Sequence, residues 1–293
     1  MILVTGAAGQ SGNLVVRQFA RHDVPVRALV RDRNRADGLL GLPGVEIVEG
    51  DMLRPRSLER ALDGIERSLM ISSADPSMLE AQCTFVDAAR SAGVRHVIKF
   101  SGRESGIGFD QFNFRYSRVH QQIERYLEAS GLAWTHLQPG QFMQVYLRQA
   151  RAIATRGVFA LPTAQISLAP VDVRDVAQVA FHILTKDGHE GRTYPMTGPQ
   201  AMTMAEIATT ISTSVGRPVA YRAVTPEESK IAMLANGADA DFAEALYDQA
   251  VERLRHPQSH VWSDTHTTFG VTPTTFADFI ADHRVAFTTP APG

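Results

Sequence analysis

The chain has 293 residues, enough for one large or two modest domains with a full hydrophobic core. Its 44% hydrophobic and 20% charged residues are those of an ordinary globular protein, and a formal charge of −2 gathers neither nucleic acid nor an anionic membrane. Of 29 basic residues only Lys99, Lys186 and Lys230 are lysine, so any single arginine carries little weight as a signal. The lone cysteine, Cys83, excludes an intramolecular disulfide and suits a reducing compartment. Within "AQCTFVDAARSAGV" it reads as a small core residue. No apolar run is long enough to span a bilayer, and "MILVTG" enters a strand pattern without a basic head, so a cytoplasmic protein is expected.

Short β-rich runs then alternate with helical patterns. "ILVTG" (2–6) is a strand, followed by a helix over about 11–22, a strand "VPVRALVR" (24–31) and a third strand "VEIVEGD" (45–51). A helix in "RSLERALDG" leads to "SLMISSA" (68–74), and the helix "SMLEAQCTFVDAARSAG" stops at Gly93, a fitting C-terminal glycine. "HVIKFSG" (96–102) is the fifth strand. A helix containing "YSRVHQQIERYLEASG" ends at Gly131, before "AWTHLQPG" (133–140). This rhythm predicts an α/β protein with a doubly wound, parallel Rossmann sheet and right-handed crossovers. Beyond Pro139 the pattern loosens into helices over 172–185, 203–216 and 238–255, with a short run at 219–224. The expected division is a cofactor domain over 1–156, with 169–188 packing back onto it, and a smaller C-terminal α+β substrate lobe over 157–293.

"VTGAAGQSGNLVV" places Gly6, Gly9 and Gly12 between the first strand and first helix. Glycine permits the tight turn and lets backbone approach a pyrophosphate, while the helix beginning at Gln10 and Ser11 points free N–H groups at the phosphates. Arg31 ends the second strand, 19 positions after Gly12, where NAD enzymes usually carry a carboxylate for the ribose hydroxyls. A guanidinium there clasps a 2′-phosphate, so NADP(H) is expected over NAD(H), although the adjacent Asp32 keeps a ribose contact open. Arg33 and Arg35 are expected on the solvated surface. Asp51 and Met52 at the end of the third strand, Ser72 and Ser73 at the fourth, and Ser101 and Gly102 at the fifth complete the expected cofactor shell.

Beyond the glycines, "VHQQIERYLEASGLAWTHLQPGQFM", "PVDVRDVAQVAFHILT" and "GRTYPMTGPQAMTMAEIATTISTSVGRPVAY" resemble the NmrA-like atypical short-chain dehydrogenase/reductases over about residues 1–225. Isoflavone and phenylcoumaran reductase-like members of that family carry a functional lysine eleven positions before the glycine of "GLAWT"; here that position is His120. Members resembling bacterial NADPH-dependent quinone reductases and triphenylmethane dye reductases carry a histidine there. The resemblance thus implies an NAD(P)H-dependent reductase of quinones or other conjugated, aromatic carbonyl compounds. His120 is the expected catalytic group, because imidazole gives or takes a proton near neutral pH. Tyr116, one helical turn earlier, is the expected helper.

Phe109 and Phe112, in the loop before that helix, and Phe142, Met143 and Tyr146 after "LQPG", are the candidate walls of a pocket for a flat substrate. Asp172 and Asp175 are expected to brace a helix. His260 and His266 lack a ligand in register for a metal, and none is expected. Helices on the outer sheet faces offer surfaces for a homodimer. Two other readings remain open at this level. One is a weakly catalytic NADP(H) sensor like the regulatory branch of the family, and the other a tailoring reductase for a dedicated polyketide-like substrate.

Overall fold

Aliphatic runs of three to seven residues, most of them followed by a helix, build the framework. The computed structural model describes residues 1–289. In chain order the elements are β1 (Ile2–Val4), α1 (Gln10–Arg21), β2 (Val26–Val30), β3 (Val45–Glu49), α2 (Pro55–Leu62), β4 (Arg67–Met70), α3 (Met78–Ser91), β5 (His96–Phe100), α4 (Arg115–Ala129) and β6 (Ala133–Pro139). They continue with α5 (Ala150–Arg156), β7 (Val158–Leu161), β8 (Ser167–Leu168), α6 (Val173–Thr185), β9 (Arg192–Met196), β10 (Met202–Thr203), α7 (Met204–Val215) and β11 (Ala220–Ala223). The last are α8 (Pro226–Ala235), α9 (Ala240–Leu254), α10 (Asp264–Phe269), α11 (Phe276–Asp282) and α12 (Arg284–Thr288).

Seven strands form one sheet in the order β3-β2-β1-β4-β5-β6-β9, and β1 through β6 pair in parallel. All six strands expected from the aliphatic runs are present. The seventh, β9, falls in "RTYPM", a short segment with a proline, which a sequence reading passes over and which only an edge position tolerates. Helices cover the sheet through the stripe that period 3.6 provides. On α1, Gly12, Val15, Val16, Phe19 and Ala20 are buried, and on α3, Met78, Ala81, Phe85, Val86 and Ala89. Cys83 lies beside that stripe of α3, half-buried rather than in the core, and burial together with Asp87 pushes its thiol up.

The chain divides into two units and passes between them several times: a segment returns to the first unit at 174–195, near the expected 169–188, while 103–118 and 139–156 fall in the second. The first comprises residues 1–102, 119–138 and 174–195; the second comprises 103–118, 139–173 and 196 onward. The second unit holds two small sheets, antiparallel β8–β10 and parallel β7–β11. Its core gathers Ile153, Phe159, Ile207, Ile211, Phe279 and Phe287. Among the described residues no helix is long and apolar enough to cross a membrane.

Strand order reverses between β1 and β4, so the chain leaves their carboxyl ends in opposite directions and opens a crevice there. Thr5 holds that point together. Its fully buried hydroxyl donates to the Ile71 carbonyl (2.6 Å) and accepts from the Ile71 N–H (2.7 Å), while its own N–H reaches the Leu69 carbonyl (3.0 Å). Thr5→Val keeps the volume but leaves both Ile71 groups without their partner. It should lower unfolding free energy by about 1–3 kcal/mol, measured by urea titration, with a matching fall in dinucleotide affinity.

Candidate active site

The crevice at the reversal is an open cleft of about 380 Å³, built wholly from the first unit. Gly6, Gly9, Gln10, Ser11 and Gly12 form its floor, Arg31 its β2 edge, Asp51 and Met52 its β3 side, and Ser72 and Ser73 its β4 side. Gly6 has φ +58°, which favours glycine, and a Cβ there would approach the Ile71 carbonyl to 2.9 Å. At Gly12 a Cβ would stand 2.3 Å from the Gly6 carbonyl, so no side chain fits where helix meets turn. Gly9 caps α1 with no side-chain bond, which leaves the first N–H groups of the helix open toward the cleft.

Of the three arginines after β2, Arg31 and Arg35 both line the cleft. Arg33 turns back instead, its N–H on Glu49 (2.9 Å) and its guanidinium near the Ile47 carbonyl (3.4 Å). Arg35 is exposed, as expected, and the 3₁₀ turn over Arg33–Arg35 nonetheless carries it to the rim of the cleft. Asp32 caps that turn by accepting from the Asn34 N–H (2.9 Å). Two cations, an open helix end and a floor that excludes side chains suit a phosphorylated dinucleotide. Ser101 and Gly102 do not line this cleft; Ser101 is buried at the end of β5, its Oγ bonded to none of the described residues.

A second cluster lies at the carboxyl end of β5 in the same unit. Lys99 is fully buried, as a residue in a central strand of a sheet covered on both faces must be. Its Nζ donates to the Phe100 carbonyl (2.9 Å) and bonds His120 Nδ1 on α4 (2.9 Å). Burial pulls the Lys99 ammonium down to about 7, against the pull of the Glu124 carboxylate. His120 keeps part of its surface exposed, yet protein packs densely enough around the ring to strip most of its water. That desolvation, and secondarily the Lys99 charge, hold the imidazole well below its usual range. With Nδ1 occupied, Nε2 bonds none of the described residues.

The ladder continues down α4 at intervals of four residues. Glu124, buried, accepts from Gln138 Nε2 (2.8 Å), and Glu128, half-exposed, accepts from His136 Nε2 (3.0 Å) on β6. His136 sits directly across from Lys99 in the β5–β6 register, and burial lowers its imidazole. The sequence reading named His120 but assigned Lys99 no role. Its signal was present: one of three lysines in an arginine-rich chain, set inside an apolar strand.

The expected helper and pocket residues belong to the second unit. Tyr116 is buried edge-on to Phe114, with ring centroids 5.8 Å apart, and tilted against Phe242 at 6.3 Å. Met143 and Tyr146 are core residues rather than cleft walls. Tyr146 is fully buried between Phe159 and Phe276, its hydroxyl 3.8 Å from Met204 Sδ, because the 3₁₀ turn over Met143–Gln149 drives both side chains inward. Phe109 packs beside His256, Phe112 is 60% exposed, and half-buried Phe142 pairs its backbone with Val171. Asp172 accepts from Gln144 Nε2 (2.9 Å), and Gln144 Oε1 accepts from the Val173 N–H at the start of α6 (3.3 Å). His260 stacks on Trp262, and among the described residues no group of His, Cys, Asp and Glu stands ready for a metal.

A doubly wound sheet with a glycine-floored cleft at its reversal defines a Rossmann-like α/β protein. The chain belongs to the NmrA-like family, whose model matches residues 1–279. It is 36% identical to an NAD(P)H azoreductase of Xenophilus azovorans over 98% of this chain and 99% of that one. It superposes with a TM-score of 0.85 on an NADPH-dependent quinone oxidoreductase of Escherichia coli complexed with NADPH, at 26% identity over 97% of this chain and 100% of the other. A Citrobacter sp. triphenylmethane reductase complexed with NADP(H) matches with a TM-score of 0.83 and 27% identity, covering 96% and 99%.

Lys99→Met removes a buried charge while keeping its volume. The folded ammonium titrates near 7 and the unfolded one near 10.5, so the wild type is destabilised most below pH 7 and regains stability as pH rises toward 10.5. The variant should therefore be more stable at pH 6–7, by about 1–3 kcal/mol, and the gain should shrink by pH 10. Chemical denaturation at several pH values measures it.

Proposed function

We propose that the protein is an NADPH-dependent reductase that delivers hydride to a flat, conjugated acceptor such as a quinone, a conjugated ketone or an azo compound. The observation that carries this reading is His120, whose Nδ1 is held by Lys99 and whose Nε2 remains available, in the same unit as the dinucleotide cleft. Whole-length similarity to reductases of azo, quinone and triphenylmethane compounds supports the substrate class.

The Gly6–Gly12 turn and the N-terminus of α1 would hold the pyrophosphate, Arg31 and Arg35 the 2′-phosphate, and Ser72 and Ser73, on the β4 side of the cleft, the nicotinamide ribose. Bound there, NADPH supplies the hydride. The residues of the chain orient the acceptor and stabilise the charge that develops on its oxygen or nitrogen. His120 does this through an Nε2–H hydrogen bond, fixed in direction because Nδ1 accepts from Lys99.

Purified protein should oxidise NADPH in the presence of a quinone, an azo dye or a conjugated ketone, and NADH more slowly. Tight NADPH binding without oxidation across such a panel would overturn the reductase reading in favour of a sensor. Arg31→Ala should weaken NADPH about 10- to 100-fold and leave NADH nearly unchanged, read by fluorescence titration. Equal losses for both cofactors would remove Arg31 from the 2′-phosphate.

A further inference from the structure

A neutral imidazole cannot part with its Nε2 proton unaided, because doing so would leave an anion. His120 is surrounded closely enough to stay neutral, so it gives a hydrogen bond readily but completes a proton transfer only if Nδ1 receives a proton at the same time. One group touches Nδ1, and it carries protons. Resting on the reductase reading above, we propose that Lys99 is the positioning residue that fixes His120 as its Nε2–H tautomer and replaces the proton His120 gives to the substrate.

The step balances as follows. The acceptor gains two electrons and a hydrogen from NADPH and becomes negative at oxygen or nitrogen. The His120 Nε2–H bond breaks as the acceptor O–H or N–H bond forms. A Lys99 Nζ–H bond breaks as Nδ1–H forms. Lys99 ends as a neutral amine and His120 as the neutral Nδ1–H tautomer. The pair resets by the reverse movement once Nε2, on the partly exposed ring, takes a proton from water.

The surroundings of Lys99 suit this cycle. Its Nζ is anchored by the Phe100 carbonyl, which leaves the His120 bond short and directed. The charged or titratable groups that face it are His120 and Glu124 from α4 and His136 from β6. Glu124 favours the ammonium and burial opposes it, and the balance leaves a lysine that exchanges its proton near neutrality. An arginine, the usual cation of this chain, would hold its proton throughout.

The test compares wild type, Lys99→Met and Glu124→Gln in single-turnover reduction with saturating NADPH, so that product release does not mask chemistry. Alongside it, ¹⁵N NMR reads the His120 tautomer without any acceptor. Wild-type turnover should fall as pH rises through about 7, where Lys99 loses its proton. Lys99→Met should be slower by about 100-fold, lose that limb and show mixed His120 tautomers, while NADPH affinity holds. Glu124→Gln, which leaves Lys99 in place, should move the limb to lower pH. An active wild type whose rate, pH profile and His120 spectrum survive Lys99→Met overturns the relay alone. A wild type inert to every acceptor overturns the reductase reading and the relay with it, whatever the tautomer.

Discussion

A parallel sheet covered by helices leaves its central strands almost no water, and the polar groups of both clusters in the first unit are arranged around that constraint. It forces the backbone polar groups of β1–β6 into ladders and leaves ligand-facing chemistry only at the strand ends. Where strand order reverses beside β1, two helices diverge and a crevice opens that side chains cannot fill. The buried Thr5 hydroxyl joins β1 to the segment after β4, so the glycine turn rests on a rigid seam.

The same constraint makes Lys99 informative. A charge in a central strand raises the free energy of the fold, since desolvation of an ion is recovered only partly by nearby partners. Here the partners are graded along one helix face: His120 at the strand end, Glu124 one turn further, Glu128 reaching solvent. Glu124 is buried where a sheet-facing helix would ordinarily carry leucine or valine. Stability surrendered in this way concentrates at functional sites.

Much of the architecture was legible in the chain. The alternation of aliphatic runs and amphipathic helices marked the six strands of the parallel sheet, and Gly6, Gly9 and Gly12 marked the cleft, because period, turn chemistry and helix start are local properties. Arg31, singled out by its distance from the glycines, does line that cleft, whereas His120 drew notice only through the family resemblance. The edge strand Arg192–Met196 was not, since its short proline-bearing run acquires meaning only beside β6.

Contacts between distant segments were decided by tertiary structure alone. Met143 and Tyr146 follow "LQPG" like pocket residues, yet the turn that carries them packs both into a core. Arg35 reads as one more arginine of a basic run until the 3₁₀ turn returns it to the cleft. Lys99 and His120 are 21 residues apart, and no spacing rule joins a strand residue to one on the helix that follows it through a loop. The sequence by itself determined the parallel sheet and the glycine turn that floors the cleft, because each rests on near-neighbour geometry. Only the packing of α4 against β5 and β6 decided that the histidine has a buried lysine behind it, because that pairing depends on which side chains two covered surfaces bring face to face.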